Sequence, residues 1–356
     1  MNKNLILIVF LPLMVSNAIF TQFYIRSPDN RIQVSNLVLE KAKKDYAYLN
    51  KSELFVTKNI KNNAFVKANF KKKKGQEVNL KTEDKRFVRA FYFNRGKDKI
   101  IVMAPGFGSS VEVLAPMIEI FSDYDLLLVN YWGMGKNLAE DKSVTAWYRN
   151  PAQRYFSERF QREERDILAA VKFVRDKKNY KQVVGLAQCY STFTYSKAQV
   201  TSQKRKIKCF DKLIFDGCWY SAYSVGMKIT DDPYMCCDQT NGGSPRLIRW
   251  VLKPKFIKLP LIKFFEIVCS LDLKSVSIIP YIKNIKNVPI LFIHATNDLM
   301  VTHKEFEEIW KVTSTNKAAF ITPYKHTINH LKGKEIYKYT CEQFIKAPAG
   351  KKLVYN

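Results

Sequence analysis

The chain has 356 residues, enough for one large domain or two small ones, and 47% of them are hydrophobic, which argues against wholesale disorder. Its net charge of +27 comes mainly from scattered lysines. This favours a solvated basic surface, with peripheral contact to anionic membrane lipids as the alternative. No groove-reading motif or zinc-finger spacing accompanies the charge, so we expect no nucleic-acid partner.

The N-terminal segment predicts an exported protein. A short basic start precedes an apolar run at residues 5–15, and Ser16 and Ala18 supply the small side chains that a signal peptidase requires. We therefore predict a signal peptide over residues 1–18 and a periplasmic, secreted or membrane-anchored protein. The run is shorter than the about 20 residues of a membrane span. An uncleaved anchor stays the alternative, because residues 19–25 prolong the apolar character.

Residues 19–85 are predicted to form an N-terminal extension with the first strands, and residues 86–356 the main domain. Strands are predicted at 52–57, 86–94, 99–104, 124–130, 181–186, 212–217, 288–294 and 318–322, and helices at 37–42, 113–121, 163–177 and 337–345. Unbroken apolar strands that alternate with amphipathic helices indicate an α/β fold with a mainly parallel, doubly wound sheet. Ligands of such sheets bind at the carboxyl ends of the strands.

A cysteine follows the strand at 181–186. Cys189 has small residues, Ala187 and Ser191, two positions away on either side. A nucleophile elbow requires small neighbours at these positions, because the strand and the following helix approach closely there. The local sequence equally allows an inert, half-buried cysteine.

Seven cysteines occur in the chain, and the oxidising surroundings of an exported protein allow some of them to pair. Setting Cys189 aside leaves an even number. Cys236 and Cys237 are adjacent but have no neighbouring histidine, so we predict no metal site there and no cofactor.

Three further strand ends carry candidate residues. Gly106 and Gly108 follow the strand at 99–104, where a glycine turn can direct backbone N–H groups into an oxyanion hole. Asp298 follows the strand at 288–294, as a catalytic acid or as ordinary Asx-turn chemistry. His326 and His330 precede the final helix, as a catalytic base or as surface or helix-capping residues.

Together these segments resemble the α/β-hydrolase superfamily over residues 86–346. The resembling segments are "IIVMAPGFGSS", "YDLLLVNYWGMGKN", "VVGLAQCYSTF", "VPILFIHATNDLMV" and "YKHTINH". They occur in the superfamily's chain order of nucleophile, acid and histidine. The chain departs from the superfamily's pattern at Ala295, where glycine is usual, at Cys189, where serine is usual, and at the elbow flanks.

The resemblance implies a role for each matching residue. Cys189 would be the nucleophile, His326 the general base and later acid, and Asp298 the residue that orients the histidine. Tyr190 and Phe107 would donate backbone N–H groups to the oxyanion. His326 is preferred to His330 because it lies further from the start of the final helix.

The resemblance implies an acyl hydrolase that cleaves an ester or thioester through an acyl-cysteine intermediate. Its substrate would be a small acyl compound, with a lipid-like one among the alternatives. An acyltransferase and a non-catalytic binding or envelope-associated protein of the same fold are the rival hypotheses. Residues 219–285 would form a helical cap. Its apolar and basic portion, residues 247–265, would pack on the core or lie on a membrane surface.

Overall fold

The fold is built around one mixed sheet. The computed structural model describes residues 24–26, 31–33, 75–107, 109, 111–131, 162–231, 259–260, 262–264, 266–267 and 272–348. In this part of the chain the strands are Tyr24–Arg26 (β1), Arg31–Gln33 (β2), Gln76–Lys81 (β3), Phe87–Phe93 (β4), Lys99–Ala104 (β5), Asp125–Val129 (β6), Gln182–Gln188 (β7), Lys212–Asp216 (β8), Ile290–Ala295 (β9) and Lys317–Thr322 (β10).

The strand order in the sheet is β2-β1-β10-β9-β8-β7-β5-β6-β4-β3. The central strands, from β10 to β6 in this order, are parallel. Antiparallel pairs close both edges, with β4 and β3 beyond β6 and β1 and β2 beyond β10. The predicted α/β fold with a mainly parallel sheet is therefore confirmed.

Helices cover both faces of the sheet, as its buried strands require. A 3₁₀ helix at Val111–Leu114 precedes α-helices at Met117–Ile120 (α1), Glu164–Lys177 (α2), Ser191–Lys204 (α3), Ala222–Asp231 (α4), Ile279–Ile282 (α5), His303–Val312 (α6), Asn329–Lys332 (α7) and Lys334–Lys346 (α8). Alternate residues of β5 point to opposite faces, so Ile100 packs in one apolar cluster and Ile101 in the other. The first cluster includes residues of α2, α3, α5 and α6, and the second residues of α1 and α8.

One predicted helix differs from the structure within its described residues, and no strand was predicted at the positions of β1, β2 and β3. The helix predicted at 113–121 is instead a 3₁₀ turn followed by α1, because Pro116 lacks the N–H that a continuous helix needs. The edge strand β3 was not predicted, because its mostly exposed and polar sequence gives a weak apolar pattern. The predicted elements at 37–42 and 52–57 lie outside the described residues, as does the predicted signal peptide.

The cysteines of the described residues are unpaired. Cys189, Cys209, Cys218 and Cys341 are free and buried. No disulfide therefore forms among these four residues. Cys209 and Cys341, for example, lie in apolar clusters on opposite faces of the sheet. Cys236, Cys237 and Cys269 lie outside the described residues. Within the described part of the chain, no helix is long and apolar enough to span a membrane.

Candidate active site

Cys189 occupies a strained turn between β7 and α3. Its φ of 52° lies in the left-handed region, which costs a residue other than glycine about 1–3 kcal/mol. Its N–H donates to the carbonyl of Asp216 at 2.9 Å, and its own carbonyl accepts from the Thr192 hydroxyl at 2.8 Å. These bonds hold the strained backbone in place. A sharp strand-to-helix turn of this kind presents the side chain of a nucleophile at the end of the sheet.

The turn after β5 packs directly against this elbow. A Cβ added to Gly106 would lie 3.0 Å from the Cβ of Cys189, so the close approach depends on glycine. The Ser191 hydroxyl donates to the carbonyl of Pro105 and accepts from the Tyr131 hydroxyl at 2.7 Å. Ser191 therefore does more than satisfy a need for a small side chain, because it joins the elbow to the turn. Sequence reasoning did not reveal this bond.

The structure brings Asp298 and His326 together. The Nδ1 atom of His326 lies 2.6 Å from Oδ2 of Asp298, whose side chain is fully buried. Oδ1 of Asp298 accepts the backbone N–H groups of Met300 and Val301 at 2.8 and 2.9 Å. The geometry of Asp298 is therefore compatible with both interpretations. One oxygen makes the turn, and the other is free to orient the histidine.

The charge environment of His326 favours its protonated form. Burial alone would lower its pKa, but the charges of Cys189 and Asp298 and the hydrogen bond to Asp298 outweigh burial and raise the pKa well above its usual value. Because Nδ1 is bound to Asp298, Nε2 is the ring nitrogen available to exchange a proton with the thiol of Cys189. A protonated imidazole of this kind can donate a proton from Nε2.

Gly217, directly after β8, makes room for the histidine ring. A Cβ at this position would lie 3.0 Å from Cε1 of His326 and 2.8 Å from the side chain of Thr327, and the φ of Gly217 is 64°. Sequence reasoning missed this residue. The available signal was its position, since a glycine directly after a buried parallel strand marks the edge where sites form.

The two predicted oxyanion residues lie side by side. The rings of Phe107 and Tyr190 meet edge to face, with centroids 5.6 Å apart. Tyr190 directly follows Cys189, and Phe107 directly follows the glycine that contacts Cys189. Gly108 lies outside the described residues.

Comparison with solved structures identifies the fold. Matches include an esterase of Pyrococcus furiosus, with 18% identity and a TM-score of 0.55 over 78% of this chain and 91% of that one. The α/β hydrolase GrgF of Penicillium matches with 13% identity and a TM-score of 0.53 over 76% and 98%. An esterase of Exiguobacterium antarcticum matches with 14% identity and a TM-score of 0.50 over 76% and 100%. The chain has the α/β-hydrolase fold. No protein-family model and no curated protein matches the sequence.

The other histidines of this α/β-hydrolase fold do not belong to the hydrogen-bonded pair of His326 and Asp298. His330 lies in α7, with Nδ1 3.3 Å from Nε2 of Gln188, and burial lowers its pKa to about 4. His294 lies in β9 and stacks on Phe306 at 4.4 Å, and burial lowers its pKa to about 4 as well. His303 begins α6, with Nε2 3.5 Å from Glu307.

The two buried histidines predict a loss of stability in acid. Because their pKa values fall from 6.5 to about 4 on folding, the unfolded chain binds more protons in this interval, and stability falls as the pH falls through it. By this linkage, protonation of each histidine in the unfolded chain lowers the free energy of unfolding by about 3 kcal/mol over the interval. Burial raises the pKa of Asp216 from 3.8 to about 6, so the folded chain gains a proton there as the pH falls and is stabilised. This gain offsets the loss from about one of the two histidines.

We therefore expect the free energy of unfolding in urea to decrease by a few kcal/mol between pH 6.5 and pH 4. The variant His294→Phe, which keeps an aromatic ring against Phe306, should show a shallower decrease. An unfolding free energy that is equally pH-dependent in both proteins would contradict this account.

An apolar cluster of the α/β-hydrolase fold surrounds Cys189. Its members come from the elbow, the acid loop and the predicted cap, and they are Cys189, Tyr190, Phe193, Trp219, Ala222, Val225, Ile262, Leu273, Val276, Met300 and Val301. The elbow therefore faces aromatic and aliphatic side chains, which suit an apolar group of a ligand. Among the described residues, no group of His, Cys, Asp and Glu side chains could hold a metal ion.

Proposed function

We propose that this protein is an acyl hydrolase that cleaves ester or thioester bonds through an acyl-cysteine intermediate. One arrangement of three residues carries the proposal. Cys189 stands at a strained elbow, its charge helps to raise the pKa of His326, and Nδ1 of His326 is bound by Asp298. Two of the matched α/β-hydrolase structures are esterases, which supports the assignment of the reaction class.

The reaction would begin with attack of the Cys189 thiolate on the acyl carbonyl carbon. The backbone N–H groups of Tyr190 and Phe107 would stabilise the developing oxyanion. The His326 imidazolium would protonate the departing alcohol or thiol as the bond to it breaks, leaving an acyl-cysteine and a neutral imidazole.

The second half of the reaction returns the enzyme to its starting state. Neutral His326 would take a proton from water as the resulting hydroxide attacks the acyl-cysteine. Collapse of the intermediate releases the carboxylic acid and the Cys189 thiolate, and Asp298 keeps the imidazole in the required orientation throughout.

The environment of Cys189 indicates the substrate class. A thiolate handles activated acyl groups such as esters, thioesters and lactones, whereas an amide has a poorer leaving group. The apolar cluster around the sulfur favours an aliphatic or aromatic acyl group over a charged one. We therefore propose a small, apolar acyl compound as the substrate.

The test is a panel of short- and long-chain thioesters and p-nitrophenyl esters, with mass analysis of the protein during turnover. We expect turnover and an acyl adduct on the peptide that contains Cys189, with both lost in Cys189→Ala. Cys189→Ser tests whether a hydroxyl can replace the thiol.

Cys218→Ser is the matched control. Burial raises the pKa of the Cys218 thiol to about 12, so this thiol is inert and its replacement should leave turnover and adduct intact. Absence of turnover on the whole panel, or turnover that survives in Cys189→Ala, would reject the mechanism and favour a non-catalytic binding protein.

A further inference from the structure

Asp216 is a buried carboxylate that the proposed mechanism does not use. It ends β8 and is 0% exposed, and in the described part of the chain it forms no ion pair with a lysine or arginine. A buried charge without a partner costs several kcal/mol, and an apolar side chain of similar volume would be cheaper. The presence of an acid here therefore calls for a role other than stability.

The contacts of Asp216 join two parts of the site. Its Oδ2 accepts from Nε2 of Gln188 at 3.3 Å, one residue before the elbow cysteine, and its backbone carbonyl accepts the N–H of Cys189 at 2.9 Å. Its Oδ1 accepts from Nδ2 of Asn329 at 2.7 Å. Both carboxylate oxygens thus accept from amide groups, an arrangement that suits the ionised form.

Asn329 holds the loop that carries His326. Its Oδ1 accepts from the Thr322 hydroxyl at 2.5 Å, so the ends of the loop between β10 and α7 are joined at their base. Asp216, at the end of β8, is hydrogen-bonded to Asn329 and so links the base of this loop to β8. The residue after Asp216 is Gly217, which lies against the His326 ring. A displacement of the end of β8 would therefore move both the His326 ring and the elbow at Cys189.

Asp216 also acts on His326 through charge. The titratable groups that interact with its carboxylate are His326, Tyr337 and Cys341, and His330 lies beside the same Gln188 amide. Burial raises the pKa of Asp216 to about 6, while hydrogen bonds from Asn329 and Gln188 and the positive charge of His326 oppose the rise. The coupling to His326 is reciprocal, so the ionised carboxylate favours the imidazolium.

We propose that Asp216 is a positioning residue that ties the histidine loop to the nucleophile elbow and supplies a second carboxylate whose charge favours protonated His326. This inference rests on the proposed function, because it assigns Asp216 to the acyl-transfer site. It adds a residue to the site beyond Cys189, His326 and Asp298.

The first test is Asp216→Asn, which places an NH₂ group against the amide of Asn329 or Gln188. We expect about a hundredfold lower kcat, the loss that a displacement of about 1 Å can cause, with little change in KM. The pH profile of kcat/KM should narrow, because a less stable imidazolium moves its alkaline limb to lower pH.

The matched control is Asp125→Asn. Asp125 is also 0% exposed and accepts the N–H of Arg95 at 2.7 Å and the Tyr180 hydroxyl at 2.7 Å. It begins β6, so it lies at the amino ends of the parallel strands, whereas the site lies at their carboxyl ends. Its replacement should lower stability and leave the kcat and the pH profile of the folded enzyme unchanged.

The double variant Asp216→Asn with Asn329→Asp exchanges the two groups and restores the hydrogen bond between them. We expect it to recover at least about tenfold of the lost kcat, because positioning returns although the charge has moved. If Asp216→Asn does not fold, Asn329→Ala removes the same hydrogen bond but keeps the Asp216 charge, and it should lower kcat without moving the pH profile. A variant whose kcat and pH profile match those of Asp125→Asn overturns the proposal.

A substrate-free measurement separates this inference from the proposed function. The rate at which iodoacetamide alkylates Cys189, followed by peptide mass analysis, reports the thiolate–imidazolium pair without any ester. In Asp216→Asn the alkylation curve should shift to higher pH. Superimposable curves would overturn the role of Asp216, whereas absence of ester and thioester turnover in the wild type would reject only the proposed function.

Discussion

His326→Ala is expected to lower kcat about a million-fold, the loss seen when a catalytic histidine of this type of triad is removed. Without the imidazole, no group takes the proton of Cys189 or protonates the leaving group. Nothing else in the described site can substitute, because the nearby His330 faces Gln188 and burial lowers its pKa to about 4. The measurement is the steady-state rate with the best substrate of the ester and thioester panel.

Two further variants make this test specific. His303→Ala removes a histidine at the start of α6 that interacts with Glu307, and should leave the rate unchanged. His330→Asn addresses the other histidine of the same loop and should cost far less activity than His326→Ala. Added imidazole should restore part of the activity of His326→Ala. A His326→Ala enzyme within tenfold of the wild type would show that another group is the base.

The backbone of Cys189 is strained because a residue other than glycine occupies the left-handed region there. The residue adopts a φ of 52° and is 7% exposed, so the fold holds a cysteine in a conformation that favours glycine and keeps most of its side chain from water. Strain of this kind persists only where the surroundings enforce it. Here the backbone hydrogen bonds from Cys189 to Asp216 and Thr192 enforce it.

The sequence predicts the parts of the fold that depend on local pattern. The central strands are continuous apolar runs, and β5, β6, β8 and β9 are buried almost throughout. Such strands are recognised without knowledge of their neighbours. The edge strand β3 escapes detection because its exposed residues have no reason to be apolar.

The candidate site was only partly predictable for a related reason. Cys189, Asp298 and His326 each follow a recognisable strand or precede a recognisable helix, so their chain order alone suggests them. Ser191 and Gly217 act through partners far away in the sequence. The Ser191 hydroxyl meets the carbonyl of Pro105, and Gly217 meets the His326 ring, and neither contact leaves a local pattern.

Asp298→Asn is expected to lower kcat about ten-thousandfold with little loss of stability. In the wild type, Oδ1 accepts the N–H groups of Met300 and Val301, and Oδ2 binds Nδ1 of His326. The two backbone N–H groups require an acceptor, so the asparagine would keep its oxygen toward them and turn its NH₂ toward the ring. Nδ1 would then have to be unprotonated, which places the proton on Nε2 and leaves no base for Cys189.

The ionisation of His326 gives this prediction a second measurement. Because the charge of Asp298 helps to raise the pKa of His326, its removal should lower that pKa, which NMR titration of the ring detects. Asp211→Asn is the matched control, since Asp211 also accepts a backbone N–H, from Val183 at 2.7 Å, but lies before the start of β8. An Asp298→Asn enzyme that keeps both wild-type activity and the wild-type pKa of His326 would show that the bond between Asp298 and His326 serves the acid loop's structure rather than catalysis.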